Sequence, residues 1–327
     1  MASVANTAAT GSRSRARRWL SGFRERETWT AYLFILPWII GFLILTAGPM
    51  VASLYFSFTD YGIEQISGFE ETSFVGTDNY EQLLDDPRVA TSLKNTFIYT
   101  VMTVPGKMIV ALALAMILAR LAFAAGFFRT VFYLPDITPP VAIGILILVL
   151  FNGSVGVVNR ALGFFGIPGP FWTTDPTWIK PSLAIMSIWT IGGTMVIYLA
   201  ALKAVPVHLY EAAAMDGAGP WRRFFTITLP MISPALFFTF IVLTIAGLQV
   251  FTEVYTAYFS PGEGSAGAAN PDAALMNVVY LFRQAFEFFN MGFASAMAWL
   301  LFLIIMIVTA VQFLVSRRFV FYQGDNR

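Results

Sequence analysis

Cysteine is absent from the 327-residue chain, which excludes disulfide frameworks and cysteine-ligated metal sites. Histidine occurs once, at His208, with no partner at helical spacing, so it reads as a solvated loop residue and no metal site is expected. Also missing is a GxxxxGK[ST] phosphate loop: Gly106-Lys107 lacks both the upstream glycine and the following Ser or Thr. No local motif supports a Ser-His-Asp triad, so the chain is not expected to be an enzyme. Charge is scarce too. Asp, Glu, Lys and Arg make up 12% of the residues, and the formal net charge of +1 says nothing about partners until the charges are mapped; a nucleic-acid partner is not expected.

What is abundant is apolar sequence. Hydrophobic residues form 57% of the chain and the mean hydropathy is +0.69, a balance that fits an all-α polytopic membrane protein rather than a soluble domain. Residues 1–27 form a tail whose basic cluster, Arg13, Arg15, Arg17, Arg18, Arg24 and Arg26, interleaves with Trp19, Leu20 and Phe23 and can lie along a membrane surface. Thr28 to Thr59 carries no charge and is too long for a signal-peptide core, so it reads as an uncleaved first span bent by Pro37 and Pro49. An acidic loop, Asp60 to Lys94, follows, with a short amphipathic helix starting near Asp78. Further spans are expected over Thr96–Ala119, interrupted at Pro105-Gly106-Lys107, over Thr130–Phe151, with LPDITPP (Leu134 to Pro140) as a distorted early portion, and over Ser182–Leu202, Pro234–Ala257 and Gly292–Val315. Each is about 20 residues or more, enough to cross a ~30 Å hydrocarbon layer. The domain from 28 to 320 is thus a six-span unit, with 321–327 a short tail.

Lys and Arg set the orientation. With the amino terminus in the cytoplasm, fourteen of the 20 basic residues fall on inner segments and five on outer ones, with Lys107 inside the membrane. This satisfies the positive-inside rule and places both termini in the cytoplasm. A charge at the bilayer centre costs about 2.5–3.5 kcal/mol on insertion scales and so faces a cavity or a partner. Lys107, Asp136 and Glu253 are the candidates. At 1.5 Å per residue Lys107 lies ~18 Å below the outer end of a straight span, while Glu253 lies near an outer end, which argues against a simple pair. Asp136 lies only ~10 Å from Arg129 on the inner side.

One polar stretch interrupts the apolar pattern on the inner side: LYEAAAMDGAGPWRRFFTITLP, Leu209 to Pro230. Leu209 to Asp216 reads as a short Ala-rich helix with Glu211 near its start, where a carboxylate complements the helix dipole. Gly217 and Gly219 permit a tight turn, and Pro220 can open a second helix because a first-turn position needs no N–H. Trp221 to Thr228 then presents Arg222 and Arg223 among aromatic residues.

Glu211-Ala212-Ala213, Asp216-Gly217-Ala218 and Ile227-x-Leu229-Pro230 resemble the EAA loop of permease subunits from binding-protein-dependent ABC importers, in particular carbohydrate permeases of the maltose, lactose and glycerol-phosphate type. FVGTDNYEQLLDDP, Gly156-Val157-Val158-Asn159 and Phe171-Trp172 are similar to the same family. The resemblance implies the six-helix type I importer architecture in a bacterial plasma (inner) membrane. It implies that Glu211, Ala212, Ala213, Asp216, Gly217, Arg222, Arg223 and Pro230 couple to an ATPase. It also implies a second permease subunit, two ATPase subunits carrying ATP and Mg, and an extracellular or periplasmic sugar-binding protein; no cofactor is expected in this chain.

For a sugar path the spans flanking the loop supply Trp189, Gly192, Gly193 and Thr194 on one side. On the other they supply Thr244, Gly247, Gln249, Phe251, Thr252, Glu253 and Tyr255, with Lys107 from the second span. For each of these residues ordinary helix packing is the competing reading. The alternatives of function are an ion-coupled secondary transporter using Lys107, Asp136 and Glu253, an importer of glycerol-phosphate or a polyol, and a membrane-embedded enzyme. No internal inverted repeat, the mark of many secondary transporters, is evident.

Overall fold

The computed structural model describes residues 26–121, 125–260 and 271–321. The expected interfacial tail, most of the Ser260–Asp272 segment and the last six residues lie outside the described residues. The chain divides into two units at Phe56. In the first, α1 (Arg26–Phe42) runs through a π-helical turn (Leu43–Ala47) into α2 (Gly48–Phe56). Together Trp29–Phe56 makes one 28-residue apolar helix. Pro37 is absorbed within α1. The π turn sits just ahead of Gly48-Pro49, where a residue without an N–H forces the hydrogen-bond ladder to shift.

The second unit, from Ser57, is built around α4 (Pro87–Arg120), a 34-residue helix. Asp86 caps its start by accepting from the Arg88 N–H at 2.8 Å, and Pro87 occupies a first-turn position. The amphipathic α3 (Asp78–Asp85) precedes it as expected, burying Asn79 and Leu83. α4 starts well before the expected Thr96, and Pro105 does not interrupt it. Membrane helices keep such prolines because packed neighbours hold the geometry while local adjustments satisfy the freed carbonyl. Gly106 does not open the helix either. A Cβ there would come within 2.7 Å of the Ile188 side chain, so the glycine serves close packing on the fourth span.

Two expected spans are bent. The third comprises α5 (Ala125–Tyr133), a 3₁₀ turn (Leu134–Ile137) and α6 (Pro140–Leu150), with 95° between its halves. Thr138 before Pro139 is extended, as the residue ahead of a proline prefers, and the helix cannot run straight through. The fourth begins at Pro176 rather than Ser182: α8 (Pro176–Trp189) and α9 (Gly192–Ala204) meet at 52°. Counting each bent pair as one span gives six, four of them without a sharp bend.

A surface helix, α7 (Val157–Phe164), lies in the loop between these spans, and Asn159 staples that loop. The Asn159 amide donates to the Gly153 and Pro170 carbonyls, and its oxygen accepts from the Trp172 indole at 2.6 Å.

Helices α8, α9 and α12 (Ser233–Leu248) all pack on α4. Ala111 and Ala115 are fully buried and let α9 approach closely through Met195 and Tyr198. The Tyr198 hydroxyl meets the Thr239 hydroxyl at 2.6 Å and ties α9 to α12. The sixth span, α14 (Met291–Phe319), packs on α12, and its Gln312 amide donates to the Thr244 hydroxyl at 2.9 Å. Among the described residues the only β pairing is a bridge between Thr59 and Phe74.

Candidate functional site

The sequence directs attention to two places: the loop between the fourth and fifth spans, and the polar residues inside the membrane, several of which meet at a cavity.

The loop's first arm is α10 (Val207–Met215). It ends in a Schellman motif: Gly217 takes φ +73°, its N–H donates to the Ala214 carbonyl at 3.1 Å, and the Ala218 N–H donates to the Ala213 carbonyl at 2.9 Å. Small residues at 213 and 218 let the motif close, and Ala218 is buried. Pro220 opens α11 (Pro220–Arg223), which continues as a π turn (Phe224–Thr228) ahead of Pro230. The Arg223 Nε donates back to the Ala218 carbonyl at 2.6 Å, and the Tyr210 and Thr228 hydroxyls meet at 2.9 Å, so the two arms are fastened to each other.

One expectation needs correction. The helix starts at Val207, so Glu211 lies mid-helix rather than in the first turn, and the dipole argument for it fails. Glu211, Ala212, Asp216 and Arg222 are exposed instead. Beside them Met215 and Trp221 are 86% and 77% exposed; Trp221 belongs to the aromatic and basic end expected from the sequence, while Met215 was passed over.

The cavity, of about 350 Å³, lies where the second to fifth spans meet. From the second span it takes Tyr99, Thr103 and Lys107; from the third, Pro140; from the fourth, Ser187. The fifth span breaks between α12 and α13 (Thr252–Tyr258), and the non-helical turn Gln249–Phe251 faces the cavity with Gly247, Thr252 and Glu253. Such unwound backbone inside a membrane is tolerated where it lines a cavity. The Lys107 ammonium donates to the Thr190 hydroxyl at 3.3 Å, at the break of the fourth span. The straight-helix depth argument that separated Lys107 from Glu253 is overturned, because the break in the fifth span brings both to one cavity.

Six of the expected path residues therefore converge: Lys107, Gly247, Gln249, Phe251, Thr252 and Glu253. The others are employed elsewhere. Gly192 and Gly193 are packing glycines: a Cβ at Gly192 would meet the Tyr133 Cα at 2.6 Å, and one at Gly193 would meet the Asp136 carboxylate at 2.9 Å. Thr194 is half-buried one residue further along α9, and Trp189 stands 45% exposed outside the cavity lining. Thr244 holds Gln312, and the Tyr255 hydroxyl donates to Glu287 at 3.2 Å. Asp136 accepts from the Gly193 N–H at 2.9 Å, capping α9, and does not line the cavity. Tyr99 and Thr103 were missed, although with Lys107 they repeat every four residues along one face of α4, the signature of a polar helical stripe.

Residues 108–321 match the family described as binding-protein-dependent transport system inner membrane component. The chain is 39% identical to the probable ABC transporter permease protein YesP of Bacillus subtilis, over 92% of this chain and 95% of that one. It is 36% identical to the lactose transport system permease protein LacF of Rhizobium radiobacter, over 88% and 93% of the two chains. With the sn-glycerol-3-phosphate transport system permease protein UgpA of Pectobacterium atrosepticum it shares 30% identity over 91% and 97%. Among solved structures, a chain of a bacterial ABC transporter involved in the import of the acidic polysaccharide alginate has the same fold, with a TM-score of 0.75 and 24% identity, covering 92% of this chain and 99% of that one.

Proposed function

The chain belongs to the binding-protein-dependent inner membrane components, the multi-pass permeases of ABC importers, and from that membership we propose that it forms one half of a sugar or oligosaccharide path and that Leu209–Pro230 couples it to a separate ATPase. The observation that carries the path is the convergence of Lys107, Gln249 and Glu253 on one cavity together with the aromatic Tyr99 and Phe251. A volume of about 350 Å³ lies within the roughly 300–1,000 Å³ of small-ligand sites. Hydroxyls need donors and acceptors in fixed places, and an aromatic face receives the C–H side of a sugar ring. This set supplies both.

The partners in this reading are a second, different permease subunit, two ATPase subunits that hold ATP and Mg, and a sugar-binding protein on the outer side. Both termini and the coupling loop lie in the cytoplasm. The coupling face is the exposed row Glu211, Met215, Trp221 and Arg222, set on a loop whose arms are fastened by Tyr210, Thr228 and Arg223. Movement of that loop by the ATPases rocks the helices between outward- and inward-open forms.

The test is sugar uptake and binding-protein-stimulated ATP hydrolysis by the reconstituted complex carrying Gln249→Ala or Lys107→Met. Both variants are expected to assemble normally and to raise the KM for sugar or lower uptake about tenfold, the effect of roughly 1.4 kcal/mol. Unchanged uptake kinetics in both would move the path elsewhere.

A further inference from the structure

A second cavity, of about 290 Å³, lies at the end of α4 opposite its Asp86 cap. Two guanidinium-bearing residues line it: Arg120, the last residue of α4, and Arg223, from the second arm of the loop. No carboxylate lines it, and no described carboxylate lies within ion-pair distance of either arginine. Around Arg120 the sequence offers none nearby, since no Asp or Glu occurs between Lys107 and Asp136, and the loop's own Glu211 and Asp216 are exposed and do not line the cavity. Two like charges beside one cavity repel unless an anion separates them, and the carbonyls at the end of α4 neutralise them only in part.

The remaining lining is divided by chemistry. Met116, Ala119 and Leu202 form an apolar wall from the ends of two spans, while Tyr210 and Thr228 present hydroxyls on the loop side. Arg223 uses its Nε on the Ala218 carbonyl, which fixes the side chain's direction before any ligand arrives. The planar fork of an arginine matches phosphate oxygens two at a time, and basic pockets between membrane helices are places where acidic lipid headgroups bind.

We propose that this cavity binds a phosphate group through Arg120 and Arg223, with the headgroup of an acidic phospholipid as the source that the apolar wall favours. The site joins the end of the second span to both arms of the coupling loop, so its occupant tethers the loop to the bilayer. This assignment stands on the cavity's own lining and does not depend on the sugar path.

The full chain, purified in a mild detergent, is compared in mixed micelles containing phosphatidylglycerol or phosphatidylcholine, and separately with inorganic phosphate. Phosphatidylglycerol is expected to raise the unfolding temperature above that in phosphatidylcholine, and native mass spectrometry is expected to show a retained phosphatidylglycerol. Arg120→Gln is expected to abolish both effects, and Arg120→Lys to keep part of them. Stabilisation by inorganic phosphate as well supports the phosphate site with a free anion as its source. An equal effect of the two lipids with none from phosphate, or a phosphatidylglycerol effect that survives Arg120→Gln, overturns the proposal. Loss of ATPase association in Arg120→Gln without any lipid or phosphate effect also overturns it, in favour of a partner's carboxylate.

Discussion

At Gly217 the backbone sits at φ +73°, yet a Cβ built there meets nothing within 4 Å. The demand for glycine is therefore conformational rather than steric, and left-handed geometry costs a residue with a side chain about 1–2 kcal/mol, more for a β-branched one. Gly217→Val is expected to break the Schellman closure and to lose most sugar-dependent ATP hydrolysis in the assembled complex, with membrane insertion intact. Gly217→Asn, a residue that tolerates this region, is expected to keep most of it. Equal activity of both variants would show that the turn has no part in coupling. The turn was legible because Gly217 and Gly219 come just ahead of Pro220, a run that breaks one helix and can open another. The place of Glu211 was not: helix starts are the weakest reading from sequence, and two extra residues ahead of Leu209 changed it from a first-turn group to an exposed mid-helix one.

The element that decides the cavity is the broken helix, and its supports can be separated one glycine at a time. A Cβ on Gly192 would meet backbone, the Tyr133 Cα at 2.6 Å and the Phe132 carbonyl at 2.8 Å, neither of which can swing away. A Cβ on Gly193 would meet only the Asp136 carboxylate at 2.9 Å, the end of a side chain. Gly192→Ala is accordingly expected to destabilise the protein by about 1–3 kcal/mol through the forced separation of α5 and α9. Gly193→Ala is expected to cost clearly less, although the two positions are adjacent. Thermal unfolding of the detergent-solubilised chain compares them, and the reverse order would sink this account of the bend. The spans themselves were legible because the bilayer demands long uncharged runs. The distortion at 138–139 was expected from LPDITPP, whereas the breaks at 190–191 and 249–251 were harder to read; and Pro105, which resembles Pro139 in sequence, leaves its helix whole. What differs is tertiary: Pro105 lies in a helix packed on three others, whereas Pro139 follows an extended residue at the start of a new one.

For the whole molecule, the absence of cysteine is an experimental convenience, because any introduced thiol is the only one in the chain. The distribution of basic residues sets the expected orientation through the energetics of insertion, and accessibility of single thiols tests it in the folded state. Glu70 lies in the first polar loop and Met215 at the tip of the coupling loop, and both are exposed. Glu70→Cys is expected to react with a membrane-impermeant maleimide in spheroplasts or other cells with an accessible outer face. Met215→Cys is expected to react only in inside-out vesicles, and more slowly once the ATPase subunits are added back, because the proposed docking face would then be covered. Reaction of Met215→Cys from the outer face would reverse the topology and with it the coupling reading. A rate in inside-out vesicles that ATPase does not change, with assembly of the complex verified in the same preparation, would leave the topology standing but move the docking contact off Met215 and its exposed neighbours Glu211 and Trp221.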